Sequence, residues 1–279
     1  IPLRLVGSEM CIRDSRDAVK AQMAALDIDV PVLMDDARLI SQALDIDKIG
    51  EVLVYNPKSF SILFRGPLGA QLTAALTDIV ADRDLQTTQI ASTGTPVSYP
   101  IKTAHLQQVP SYEKEIGPII AQNCAACHRE GGIAPFALDS HTMVMGWSQM
   151  IREVLMTKRM PPGQIDSHIG DFINDMVLAD EDAQKIVHWI EAGSPKDGII
   201  DPLTELVWPE TEWAFGEPDY IVEIPEQSIP ATGVLDYYNV MVELGLEEDR
   251  WVRASQYIPG DHTVLHHTLH SLIAPGETR

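Results

Sequence analysis

Apolar positions along this chain change period several times, and each change marks a change of predicted structure. Residues 18–26 are alanine-rich at helical spacing, and residues 37–44 place Leu39, Ile40 and Ala43 on one helical face. Between them Pro31-Val-Leu-Met34 reads as a short apolar strand. Glu51-Val-Leu-Val-Tyr55 and Ser61-Ile-Leu-Phe64 read as two strands joined by the turn Asn56-Pro57-Lys58-Ser59, and residues 72–81 return to the helical period. Residues 86–107 read as a linker, because Thr, Ser, Gly and Pro dominate from 87 to 100 and no hydrophobic period is kept.

Residues 108–198 are predicted to be mainly helical. A helix over 112–123 carries Ile116, Ile119 and Ile120 as its apolar stripe. Met143, Met145, Met150 and Met156 follow at helical spacings with Trp147 and Ile151, a pattern typical of core filler. A closing helix starts at Asp180 as N-cap, with Glu181 and Asp182 suited to the positive helix end. Ala183, Ile186, Val187 and Ile190 form its apolar face, and Gly193 and Pro195 end it. Residues 199–279 differ again, with Pro-rich breaks and β-branched runs such as Tyr220-Ile-Val-Glu-Ile224 and Thr263-Val-Leu-His266 that predict strands. No internal repeat is present.

Composition adds bounds to this picture. At roughly 100–200 residues per domain, 279 residues predict two or three domains. A formal net charge of -21 argues against a nucleic-acid partner, whose phosphates require basic surface, and suits docking to basic proteins. No apolar run approaches the roughly 18 residues that a membrane-spanning helix needs. The chain starts at Ile1 without a signal peptide and stops at Arg279 straight after a strand-like run, so the expectation is a fragment cut at both ends. Residues 1–15 resemble a translated sequencing-adapter string; they and Cys11 are set aside from the fold argument.

The sharpest chemical signal is Cys124-Ala-Ala-Cys127-His128, the pattern of c-type haem attachment. Two thiols about one helical turn apart reach the two vinyl groups on one porphyrin edge, and the adjacent His128 then lies under the iron as proximal ligand. Met160, in Arg159-Met160-Pro161-Pro162, is the expected sixth ligand, because the diproline fixes the backbone there and a thioether raises the potential of a His/Met haem; Met143, Met145, Met150 and Met156 compete for that place but carry the core-filler pattern. A zinc site would need two further ligands, and no second cysteine pair exists. A thioredoxin-type pair would follow a strand rather than sit in a helical segment.

A second signal is the density of His262, His266, His267 and His270. Imidazole is a common ligand for copper, zinc and iron, so the cluster raises a metal hypothesis; a solvated His-rich strand is the competing reading. Adjacent histidines on an ideal strand point to opposite faces, and reach one ion only through a bulge or different ring nitrogens. His105, His141, His168 and His188 stand singly and read as surface or packing residues.

Three resemblances give these signals a context. The order strand, helix, hairpin, helix in residues 16–85 resembles the C-terminal half of a thioredoxin- or peroxiredoxin-like domain. That family's thiol chemistry sits on an N-terminal cysteine pair that residues 16–85 lack, and Gly50 stands where the family usually has a cis-proline, which implies a redox-silent module. The string from Cys124 to Ile133-Ala-Pro-Phe136, followed by Met160-Pro-Pro, resembles the haem domains of large bacterial copper–haem proteins. Its helix, ligand loop and closing helix resemble the cytochrome c fold.

Ile229-Pro-Ala-Thr-Gly233, Tyr237-Tyr238, Trp251-Val252 and Tyr257-Ile-Pro-Gly260, followed by His266-His267, resemble the opening of the copper type II, ascorbate-dependent monooxygenases. That resemblance implies that His266 and His267 supply two of three ligands to the electron-accepting copper, with His262 and His270 as bystanders. The third ligand and the oxygen-binding copper would lie beyond Arg279.

Together these readings predict a multidomain chain: an α/β thioredoxin-like half over 16–85, a linker over 86–107, an all-α cytochrome c-like domain over 108–198, and the all-β start of a copper monooxygenase-like sandwich over 199–279. The function they imply is extracytoplasmic, periplasmic or exported, electron transfer through covalent haem c. The haem would feed a downstream copper-dependent monooxygenase domain, its partners being that domain or separate redox proteins, and a tethered donor reaches an effective concentration on the order of mM. Two alternatives are an electron carrier or sensor without oxygenase activity, and a haem-fused thiol peroxidase.

Overall fold

The computed structural model describes residues 16–27, 29–81, 83, 88–163, 165, 169–170, 172–173, 175–208, 213–233, 235, 237–261, 264–265 and 267–274. Contacts divide the chain into two compact units, Ile1–Ile116 with Met145–Gly198, and Gly117–Val144 with Ile199–Arg279.

In the first unit, helices α1 (Arg16–Ala25) and α2 (Leu39–Ala43) come first, and the alternating stretches then form an antiparallel hairpin, β1 (Glu51–Asn56) and β2 (Ser61–Pro67). Its turn is set by Asn56, whose Oδ1 accepts the amides of Lys58 at 2.9 Å and Ser59 at 3.4 Å. A third strand, β3 (Thr88–Gln89), pairs parallel to β2, giving a sheet of order β1-β2-β3. Helix α3 (Ala70–Val80) follows the hairpin, and Leu72 and Ala75 close over Val52, Val54 and Phe64 to form the sheet's apolar core. Gly66 lets Ile90 pass close, since a Cβ there would stand 3.1 Å from the Ile90 side chain.

The sheet is tied to the preceding loop by Arg65. Its Nε and Nη2 donate to the two Glu51 carboxylate oxygens at 2.8 and 2.9 Å, and its Nη1 donates to the Leu44 carbonyl at 2.9 Å. Nη2 also reaches the Asp45 carbonyl. The hydrogen-bonded Glu51 carboxylate holds the guanidinium above its ordinary pKa.

The other elements of this unit gather on the closing helix. The hydrophobic period of 180–191 forms α8 (Asp180–Glu191), which buries seven of its twelve residues. Its N-cap is Ala179 rather than the expected Asp180. Against it pack a short α2 (Leu39–Ala43), α4 (Pro100–Gln107), a π-turn (Tyr112–Ile116) and α7 (Ser148–Met156). The π-turn arises because the Glu115 and Ile116 amides both bond the Ser111 carbonyl, at 2.9 and 3.0 Å. Glu115 reaches back to the Ser111 amide at 3.0 Å, and Ser111 Oγ accepts the Lys114 amide at 3.1 Å, a reciprocal cap. Trp189 is fully buried, stacks on Tyr112 with ring centroids 5.8 Å apart, and donates Nε1–H to the Pro195 carbonyl at 2.9 Å. Residues 88–107, which read as linker, thus hold β3 and α4. The strand expected at 31–34 is not formed.

The second unit contains α5 (Gly117–Asn123), the first residues of α6 (His141–Gly146), and residues 199–279. Here the expected fold class is corrected. Among the described residues of 199–279 there is no strand, so no all-β sandwich begins there. The helices expected to make one all-α domain over 108–198 are divided between the two units. The fold is mixed, with helices and one small three-stranded sheet. The physical reason lies in pairing. Tyr220 and Ile221 have β-forming side chains but lie more than half exposed, with no neighbouring strand among the described residues to complete a ladder, and an unpaired strand gains nothing from propensity alone. No helix among the described residues is long and apolar enough to cross a membrane.

Arg65→Met leaves the nearly buried Glu51 carboxylate and the Leu44 carbonyl unpaired. It is expected to lower stability by about 3 kcal/mol, read as a drop in urea midpoint at unchanged slope. A loss below about 1 kcal/mol would show that the pair contributes only as a surface ion pair does.

Candidate functional site

Helix α5 presents Ile119 and Ile120 as buried positions and runs directly into the cysteine motif. The Cys124 and Ala125 amides both bond the Ile120 carbonyl, at 2.9 and 3.0 Å, and the Cys127 and His128 amides both bond the Cys124 carbonyl, at 3.2 and 3.0 Å. This run of turns places Cys124 and Cys127 one turn apart, both as half-buried free thiols.

The chain then folds back on the motif. The Ala134 amide bonds the Cys127 carbonyl at 3.1 Å, and the Leu138 amide bonds the His128 carbonyl at 2.8 Å, so carbonyls left open at the end of the turns are capped. Gly131 and Gly132 make the fold-back possible. Gly131 has φ +70°, and a Cβ on Gly132 would stand 2.3 Å from the Cys127 carbonyl oxygen.

The same loop orients His128. Its Nδ1 lies 3.1 Å from the Phe136 carbonyl oxygen, and the Phe136 ring tilts against the imidazole with centroids 4.7 Å apart. A carbonyl only accepts, so Nδ1 carries a proton, and in the neutral form of the ring Nε2 holds the lone pair. Ligating histidines are set in this way, one nitrogen tied to a carbonyl so that the other faces the metal. The donor set, the one-turn spacing of the thiols and the fixed tautomer of His128 therefore fit a haem c.

Thiol redox chemistry fits less well. Burial, with a smaller contribution from Cys127, pushes the Cys124 thiol up to about 11. A disulfide-exchange cysteine instead has its pKa lowered, so that thiolate is present at neutral pH.

The remaining expected residues are distributed as follows. Met160 lies in the first unit, three residues beyond the helix cap at Thr157, and is 40% exposed, with its amide 3.4 Å from the Val154 carbonyl. Met143, Met145 and Met150, read as core filler, are exposed, whereas Met156 packs against the Ala183–Val187 face of α8. His266, His262 and Cys11 fall outside the described residues. His267 is exposed, with its Nε2 3.3 Å from the Tyr237 hydroxyl. Among the described residues no three His, Cys, Asp or Glu side chains gather as a metal-binding group.

Two groups escaped the sequence reading. The Phe136 carbonyl has no side-chain signature, although Gly131-Gly132 signals a tight turn that returns the chain to the motif. His105 and His188, read as isolated, lie together with their Nδ1 atoms 2.8 Å apart. Comparison of the chain with protein-family models, with curated proteins and with solved structures finds no match.

In a Cys127→Ser variant isolated without haem, iodoacetamide should label Cys124 slowly at pH 7, with the midpoint still raised by burial although the contribution of Cys127 is lost. Mass spectrometry of the labelled protein reads this directly. A midpoint at or below 8.5 would restore thiol exchange as a competing chemistry.

Proposed function

We propose that this chain is an extracytoplasmic electron-transfer protein carrying a covalent haem c, with Cys124 and Cys127 as the thioether sites and His128 as the proximal ligand. The observation that carries the reading is the His128 tautomer. The Phe136 carbonyl takes Nδ1–H, which leaves Nε2 as the uncommitted ring nitrogen in a segment whose two cysteines are free thiols. When bound, the haem supplies a one-electron carrier whose potential is set by its axial ligands and surroundings.

The chain's own residues do the positioning. Helix α5 fixes the cysteines, the loop over 129–138 caps their turn, and the Phe136 ring and carbonyl hold the imidazole plane. Met160 is proposed as the sixth ligand on the strength of its thioether and the diproline that follows it. The location follows from the chemistry, because haem c is attached outside the cytoplasmic membrane. The strongly acidic chain suits basic redox partners.

The proposed recipient of the electrons is a copper-dependent monooxygenase site. As the resemblance of residues 229–267 implies, His266 and His267 would contribute to its electron-accepting copper, and the Tyr237 hydroxyl contact restrains the His267 ring.

Expression of the full chain in an export route with haem c maturation should give a pyridine haemochrome of the two-thioether type and a haem that stays with the protein on denaturation. Cys124→Ala or Cys127→Ala should shift the band to the one-thioether position, and the double variant should retain no covalent haem. A wild-type protein without covalent haem under these conditions would overturn the proposal.

In the loaded protein, Met160→Ala should remove the sulfur-to-iron charge-transfer absorption and lower the reduction potential. An unchanged spectrum would remove Met160 from the site while leaving the haem attachment standing.

A further inference from the structure

His105 on α4 and His188 on α8 lie 83 residues apart in sequence and meet through their Nδ1 atoms at 2.8 Å. His188 is buried, and its Nε2 lies 2.8 Å from the Gln42 Oε1 on α2. An amide oxygen only accepts, so His188 carries its proton on Nε2 and offers Nδ1 as an acceptor. His105 therefore donates Nδ1–H to it. One chain of hydrogen bonds, from His105 to His188 to Gln42, thus joins α4, α8 and α2.

This arrangement has a definite proton capacity. A first proton is accommodated on Nε2 of the half-buried His105, where it leaves the Nδ1–H donation to His188 unchanged. A second proton must go to Nδ1 of His188, and two N–H groups would then face each other across 2.8 Å. We propose that His105 and His188 form a proton-operated latch, which holds α4 against α8 while the pair carries at most one proton and releases α4 when the second arrives.

The surroundings oppose that second charge. Burial disfavours the charged form of both rings and, with repulsion from His105 and Lys102, lowers His188 to about 4. His105 is lowered as well, by burial and by Lys185, against the attraction of Glu115. Glu191, the remaining acid facing His188, is also engaged by Arg152 of α7 at 2.8 Å. Glu115 is paired with Lys185 at 3.2 Å. Among the described residues, no carboxylate is therefore uncommitted next to the pair to stabilise a dication.

The sign follows from linkage. His188 ionises near 6.5 when unfolded and near 4 when folded, so the latch is fully effective above pH 6.5 and weakens as pH falls from 6.5 towards 4. Two imidazoles do not make a structural zinc site, which takes four ligands, and no third His, Cys, Asp or Glu joins them among the described residues. The latch is independent of the haem reading.

Amide hydrogen exchange on the full chain tests it, after correction for the intrinsic pH dependence of exchange. The Thr103 and Gln108 amides, bonded to the Tyr99 and Ala104 carbonyls, report α4. Between pH 7 and pH 4.5 their opening constant should rise on the order of tenfold or more relative to amides of β1. His105→Gln should stay closed at pH 4.5, because an amide oxygen can accept from a protonated His188. Equal behaviour of α4 and β1 in the wild type, or wild-type opening in His105→Gln, would overturn the proposal. Should His105→Gln not fold, NMR of the wild type decides: opening of the α4 amides that tracks the titration of His188 supports the latch, and α4 opening that stays constant through that titration rejects it.

Discussion

Every polar group that α8 buries has to be given a hydrogen-bond partner, and that requirement selects what packs around it. Gln184 is buried and donates to the Ala37 carbonyl at 2.7 Å, which fixes the loop before α2. His188 engages Gln42 and His105, and Trp189 reaches the Pro195 carbonyl across the turn that ends the helix. An unsatisfied group at any of these positions would cost roughly 1–3 kcal/mol, comparable with burying a large apolar side chain. The apolar face of α8 supplies the attraction, but it would accept many partners. The polar groups are what single out α2, α4 and the turn that follows α8.

The cysteine motif is built on the opposite principle. Its turns, the capped carbonyls of Cys127 and His128, and the Phe136 carbonyl all lie within about fifteen residues of one another, so its geometry is largely local. Local closure is cheap in chain entropy, because the loop is short and two glycines take the backbone where a side chain could not follow. A site closed by so short a loop needs no distant segment to hold its shape, which suits the proposed covalent attachment of a haem.

How far the sequence spoke depended on how local each feature is. The hairpin, α3 and α8 were legible because period and turn chemistry agree there: Asn56 closes the turn, and the buried positions of α8 include every residue of its predicted apolar face. Cys124, Cys127 and His128 were legible from spacing alone. The His105–His188 contact was not, since nothing in either neighbourhood announces a partner 83 positions away. The exposed methionines of residues 143–150 were misjudged because helical spacing marks a common face without saying whether anything covers it. The strands expected beyond residue 199 failed for a related reason. β-propensity describes how well a side chain suits a pleated surface, and that surface exists only where a second strand supplies the ladder.

The thiols and the imidazole at the motif constrain one another chemically. A low-pKa cysteine pair beside a histidine invites disulfide formation or metal-thiolate binding, both of which consume thiolate. Burial of Cys124 suppresses its thiolate at neutral pH, and the Phe136 carbonyl directs the His128 proton to Nδ1, away from the coordinating nitrogen. Both effects suit the proposed haem: Cys124 is held as a thiol, and the neutral form of the imidazole has its lone pair on Nε2. The proposed attachment of a haem would draw on two thiols and one imidazole lone pair arranged in this way.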